Sequence, residues 1–318
     1  MNSPRITIRG EPTSEFRVKI VRTLYKYYSG LKPNYFNQPT LKLTSAFNLN
    51  DPFEVTLAEE LLTLIEEKNK DDESFEQFKR VLGTGDLKAG YNKLMRMCGI
   101  VSLSETQHNL LMWAHYADQH RGMCIGYDSG FLEKRNFERS YKKLPLIKTP
   151  IKIDYDTKKN DFQNYNFDTT NSDLMLKSIL VKQLTTKGDD WIYEKEHRLI
   201  IPIGRADRFL FKQGRGSQSI PMPNSIRKVV EETSENEYKI KSNGDVIASQ
   251  VGTDTRYTFL LNIDKEYIKN VYLGCRMPPR TANRIKKEIR EDPELSHVSV
   301  YKFRESLNRF ELEIDPRY

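Results

Sequence analysis

The chain has 318 residues, 37% hydrophobic and 30% charged, with 51 basic against 44 acidic side chains and a net charge of +7. Fifteen Phe, seventeen Tyr and two Trp are too many core-formers for a disordered chain, and no apolar run approaches the ~20 residues of a bilayer crossing. The basic excess falls short of the dense, one-sided charge of a dedicated nucleic-acid binder.

Cys98, Cys124 and Cys275 are too few for a disulfide framework. No apolar segment follows Met-Asn-Ser-Pro-Arg at the N-terminus, so no signal peptide is expected, and a reduced, cytoplasmic setting follows. The charge is uneven. Residues 59–80 hold eight acidic and four basic side chains, 132–159 nine basic and four acidic, and 276–290 six basic and one acidic. Solvated faces account for such runs, and so does a surface facing phosphate.

Residues 1–19 read as an N-terminal arm, and 20–318 as a single domain with a polar β-hairpin insertion at about 205–250. β-branched and aromatic residues over 20–28 predict a strand. Leu41–Ser45 alternates with the period of a half-buried strand. Asp51 as N-cap, Pro52 at the first helical position and Glu54 predict a capping box. Its helix should run through Leu57, Leu61, Leu64 and Ile65, with more helix over 73–97, broken at Gly83–Gly85. Further strands are expected at Gly99–Ser104, Met123–Tyr127, Ile151–Tyr155, Glu194–Ile203, Arg208–Phe211, Glu237–Lys241, Tyr257–Asn262, Ile268–Gly274, Val298–Lys302 and Phe310–Ile314. Helices are expected at Leu110–Gln119, Leu174–Leu184 and Thr281–Glu291. The fold class is α+β, with mixed, mainly antiparallel sheets and flanking helices.

Four segments carry candidate chemistry. Trp191–Arg198, taken as a strand, puts Glu194, Glu196 and Arg198 on one face. Such a pair of carboxylates could bond ribose hydroxyls and stabilise an electron-poor sugar carbon, or form a structural Glu–Arg pair. Thr44, Ser45, Asn50 and Asp51 could meet a sugar or phosphate, or serve only capping and turn chemistry. His115, His120 and Cys124 raise the question of zinc, but tight Cys-x-x-Cys pairs are absent and no metal is expected. His115 reads as a buried histidine bonded to a carboxylate or backbone, or, with Tyr116, as a ligand-orienting group. Gly204–Gly216 interleaves basic residues with Phe209 and Phe211, suiting single-stranded nucleic acid or an ordinary hairpin. Gly214-x-Gly216 is too short for a dinucleotide fingerprint.

Together, Leu24-Tyr-Lys-Tyr27, Leu41–Ser45, Asn50-Asp-Pro-Phe-Glu54, Ser102–Ser104, Leu111-Met-Trp-Ala-His-Tyr-Ala117, His120–Tyr127, Trp191–Arg198 and Ile268–Cys275 resemble the bacterial and phage family named domain of unknown function 2971, over roughly 20–315. In order of elements the chain is also similar to ADP-ribosyltransferases. That resemblance implies a related fold and NAD as substrate, with Tyr25 to Tyr27 on a first strand, Thr44-Ser45 on a second and Glu194-Lys-Glu196 on a late one. Glu196 would hold the nicotinamide ribose and Glu194 would activate the acceptor, a nucleic acid or a protein. The implied site is one cleft with Glu196, Glu194 and His115 as catalytic residues. Tyr25, Tyr27, Thr44, Ser45, Asn50, Tyr116 and Arg198 would bind NAD. A toxin or phage-defence effector fits this reading. A nucleic-acid-binding or processing protein, and a non-catalytic sensor or interaction protein, are the alternatives.

Overall fold

The computed structural model describes residues 22–56, 63, 67, 87–137, 144–159, 172–213 and 220–318. The arm at 1–19, the helix positions Leu57, Leu61, Leu64 and Ile65, the Gly83–Gly85 break and Gly214–Gly216 lie outside the described residues. Thr63 and Glu67 are helical.

The class is α+β. In chain order the elements are β1 (Thr23–Tyr28), β2 (Thr40–Ser45), α1 (Leu87–Met97), β3 (Cys98–Ser104), α2 (Leu110–Tyr116), β4 (Met123–Asp128), β5 (Ile147–Lys152), β6 (Asp154–Asp156), α3 (Ser172–Leu184), β7 (Thr186–Gly188) and β8 (Glu196–Pro202). There follow β9 (Arg208–Phe211), α4 (Asn224–Arg227), β10 (Val230–Ser234), β11 (Glu237–Ile240), α5 (Gly244–Val251), β12 (Tyr257–Asn262), β13 (Ile268–Leu273), α6 (Pro279–Glu291), β14 (Ser299–Glu305) and β15 (Leu312–Ile314). Thirteen of the described strands form one sheet. Its path is β10-β11-β9-β12-β2-β3-β1-β4-β13-β14-β15, with β8 on β3 and β5 on β8. Within it only β13 and β14 pair in parallel; β6 and β7 form a separate parallel pair.

The sheet splits at β3. One edge of β3 pairs with β8 along its whole length, from Cys98↔Pro202 to Ser104↔Glu196. The other edge is shared. β2 takes Gly99 and Ile100, and β1 takes only Ser104. Between these contacts β1 and β2 diverge, and a gap opens over Ser102. β2 continues into β12 and β9, while β1 continues into β4 and β13.

Two apolar clusters hold these halves. The larger joins Leu41, Leu43, Ile100, Leu199, Ile201, Phe209, Phe259 and Leu261 to Leu94 and Met95 of α1, Leu180 of α3, Ile247 of α5 and Ile285 of α6. The smaller packs Met112 and Trp113 of α2 on Tyr27, Cys124, Tyr272 and Phe303. Helical spacing explains the distinctive 111–117 motif, because Met112, Trp113, Tyr116 and Ala117 share the face toward the sheet. Asn109 caps this helix, its side-chain oxygen accepting from the Leu111 and Met112 N–H groups at 2.9 and 3.2 Å. The Trp113 indole donates to the Gln107 carbonyl at 2.7 Å.

After α2 the chain reverses through Asp118, Gln119 and His120, all at positive φ, and docks on the end of β13. Gly274 N–H donates to the Gly122 carbonyl at 2.9 Å. A Cβ on Gly122 would lie 2.1 Å from the Tyr28 carbonyl oxygen, which belongs to backbone and cannot swing away. Gly122→Ala is therefore expected to cost about 1–3 kcal/mol. A urea titration checks this by a lower midpoint at unchanged slope.

Three local expectations need correction. The strand expected over Glu194–Ile203 begins only at Glu196. Asp189–Glu194 is a 3₁₀ turn, and Lys195 at φ 45° reverses the chain between them. Asp51–Glu54 is a turn and not the start of a regular helix. Asp51 accepts from the Phe53 N–H at 2.9 Å, as an Asx turn does. The strand expected at Ile151–Tyr155 is two strands. Ile153 donates to the Glu196 carbonyl and Asp154 to the Thr185 carbonyl, both at 2.9 Å, so the chain crosses from one sheet to the other. Residues 205–250 supply β9, β10 and β11 to the main sheet, together with α4 and α5. Among the described residues, no helix is long and apolar enough to cross a membrane.

Candidate functional site

The split between β1 and β2 is the mouth of a cavity of about 270 Å³. Tyr25, Lys26 and Tyr27 come from β1, Lys42 and Thr44 from β2, and Ser102 to Ser104 from β3. Tyr116 comes from α2, Lys187 from β7, Glu196 and Arg198 from β8, with Glu194 just before it.

The base of the cavity is a buried ion cluster. Arg198 Nε and Nη2 donate to the two Glu196 oxygens at 2.7 and 2.9 Å, and Nη1 donates to the Leu184 carbonyl at 2.9 Å. The same guanidinium pairs with Glu54. Lys187 Nζ lies 2.6 Å from Glu194, 3.4 Å from Glu196 and 3.5 Å from Glu54, and 4.5 Å from the centre of the Trp191 ring. Three carboxyl groups thus face two cations. None of the five side chains is more than 6% exposed. Above the cluster, Tyr116 donates to Glu194 and Asn50 donates to Tyr116, each at 2.5 Å. Ser104 donates to the Glu194 carbonyl at 2.7 Å, and Tyr155 accepts from the Glu196 N–H at 2.8 Å.

These contacts set the charge states. Burial opposes an ionised Glu196, but Arg198 and Lys187 overcome it and bring its carboxyl down to about 2. For Glu54, the burial penalty prevails over Arg198 and Lys187, and its carboxyl is raised. Lys187 is raised because its carboxylates outweigh its burial. Burial and the bonded Glu194 carboxylate keep the Tyr116 hydroxyl protonated.

Lys26 behaves in the opposite way. Burial and the neighbouring charge of Lys42 press its ammonium down to about 8, with partial relief from Glu196. About half of it is free amine at pH 8, against less than ~1% of an ordinary lysine. Trace acylation followed by peptide mass spectrometry should find a Lys26 reactivity step near pH 8. A step above pH 10 would refute the assignment.

Eight of the ten residues expected from sequence line this one cavity: Tyr25, Tyr27, Thr44, Asn50, Tyr116, Glu194, Glu196 and Arg198. Ser45 and His115 do not. Alternation along β2 turns Ser45 away from Thr44, into the interior, where its hydroxyl has no hydrogen-bond partner among the described residues. His115 is not a buried histidine. It sits on the outward side of α2, exposed, with its ring 6.2 Å from that of Tyr193. His115, His120 and Cys124 do not converge: His120 stacks on Trp113, and Cys124 lies in the smaller core cluster. Glu54, read as a capping residue, belongs to the ion cluster instead. Lys187, Lys26, Lys42 and Ser102 also line the cavity, and no sequence motif marks them as site residues. Lys187 sits in Thr186-Lys-Gly188, which carries no motif. Lys26 lies between Tyr25 and Tyr27, whose aromatic character dominates the local pattern.

A family model described as protein of unknown function (DUF2971) matches residues 112–199. Over that stretch the chain is similar to this family. The matched stretch is shorter than the 20–315 expected. It carries Tyr116, Lys187, Glu194, Glu196 and Arg198, while Tyr25, Lys26, Lys42, Thr44 and Glu54 lie N-terminal to it. The family's stretch thus supplies most of the ion cluster, and the preceding strands supply the opposite wall. No curated protein and no solved structure matches the chain.

Proposed function

We propose that the cavity binds NAD as a substrate and that the protein is an ADP-ribosyltransferase-like enzyme. One observation carries this reading: Tyr25 on β1, Thr44 on β2 and Glu196 on β8 line one cavity at the split of the sheet. Those are the positions that the similarity in element order assigns to NAD. The volume of about 270 Å³ lies just below the ~300–1,000 Å³ of ligand pockets. It has room for a nucleoside-sized part of a dinucleotide and not for all of it.

In this reading Glu196, ionised and fixed by Arg198, stabilises the positive charge that develops on the sugar carbon as nicotinamide leaves. Its position is set before substrate arrives, so little reorganisation is spent in the transition state. Glu194 accepts the acceptor's proton, with Tyr116 and Lys187 holding its two oxygens. The acceptor is a nucleic acid or a protein. A toxin or antiviral-defence role in the cytoplasm fits such an activity, and there the three cysteines stay reduced.

The test uses purified protein, labelled NAD and a bacterial lysate split into nucleic-acid and protein fractions. Label in one fraction with release of nicotinamide is expected. Absence of both label and nicotinamide release would overturn the reading.

A further inference from the structure

The cavity holds two cations that its ion cluster does not use. Lys26 reaches in from β1 and Lys42 from β2, one from each side of the split. Lys26 Nζ donates to the Ser102 carbonyl at 3.1 Å, the group left exposed where β1 and β2 diverge. Among the described residues, no carboxylate lies within ion-pair distance of either lysine. The nearby carboxylates are taken: Glu196 by Arg198 and Lys187, and Glu194 by Lys187 and Tyr116. Lys212, just after β9, adds a third positive charge beside Lys42.

Like charges at one cavity repel each other, and among the described residues neither lysine forms an ion pair. An anion between them would relieve both. A lysine ammonium is a point-charge partner for phosphate, and two from opposite walls suit a group with several charged oxygens. We propose that Lys26 and Lys42 form a phosphate-binding subsite that takes the diphosphate of a nucleotide ligand. The proposal rests on reading the cavity as a nucleotide site, and it names the residues that meet the charged part.

Calorimetric titration of the full chain with ADP, adenosine and inorganic pyrophosphate tests it. ADP should bind at least about tenfold more tightly than adenosine, and pyrophosphate should compete with it. Lys26→Met and Lys42→Met should each weaken ADP about tenfold or more and leave adenosine unchanged. Equal affinity for ADP and adenosine, no binding of ADP, or unchanged ADP affinity in Lys42→Met would overturn the subsite. Lys42 is exposed, so its variant decides the matter even if Lys26→Met does not fold. ADP carries no nicotinamide, which separates this outcome from the transferase reading. Lysine-dependent ADP binding without NAD cleavage would sink the transferase and keep the subsite. NAD cleavage undiminished in the double variant would do the reverse.

Discussion

Replacing Arg198 by Met is expected to destabilise the protein by about 3–5 kcal/mol. The guanidinium is 1% exposed, donates to Glu196 and the Leu184 carbonyl, and forms an ion pair with Glu54. Its removal leaves two carboxylates facing only Lys187 in an interior that solvates them poorly. A methionine fills much of the volume, so the loss reports charge and not a cavity. Chemical denaturation with wild-type slope and a lower midpoint would confirm it. A loss under about 1 kcal/mol would mean that the cluster is hydrated and weakly coupled. Acid should act on the same cluster. Glu196 has its folded carboxyl depressed to about 2, so its contribution is complete above the ordinary ~4.3 and disappears as pH falls toward 2. Glu54 acts in the other sense. Its raised carboxyl favours the folded state where it is protonated, and that contribution is lost as pH rises through its folded value.

Glu196→Gln is expected to lower nicotinamide release about 10²–10³-fold. The amide keeps the size of the side chain and one acceptor for Arg198. It removes the negative charge that the proposed mechanism places against the sugar carbon. The decisive comparison is with Thr44→Ala, which deletes a cavity-lining hydroxyl and leaves the ion cluster intact. If Glu196→Gln folds, as judged by circular dichroism, and still releases nicotinamide at the wild-type rate, Glu196 is a structural partner of Arg198. A normal rate would take Glu196 out of the mechanism and leave NAD cleavage standing.

The two most informative segments of the sequence differed in how far local reasoning reached. Leu111–Ala117 announced a helix by its periodicity, and that same periodicity turns Tyr116 inward and His115 outward. Trp191–Arg198 announced its charges, but not its backbone. Lys195 at positive φ separates a 3₁₀ turn from β8, yet Glu194 and Glu196 still reach the same lysine. At Glu54 a local rule misled. Asp-Pro-x-Glu fits a capping box, and nothing nearby in sequence signals that a guanidinium from β8 will take the carboxylate.

The sequence by itself located most of the strands and helices, because period and turn chemistry are local properties of a few neighbouring residues. It also set the supply of carboxylates, cations and tyrosines. Only the tertiary structure decided where they meet. The sharing of one β3 edge by β2 and β1 opens the cavity. The pairing of β8 on the other edge brings Glu196 and Arg198 to its base, and the turn after β2 brings Glu54 to them. Strand order and register depend on contacts far apart in the chain, and those contacts are chosen by burial of the whole core, not by any one segment.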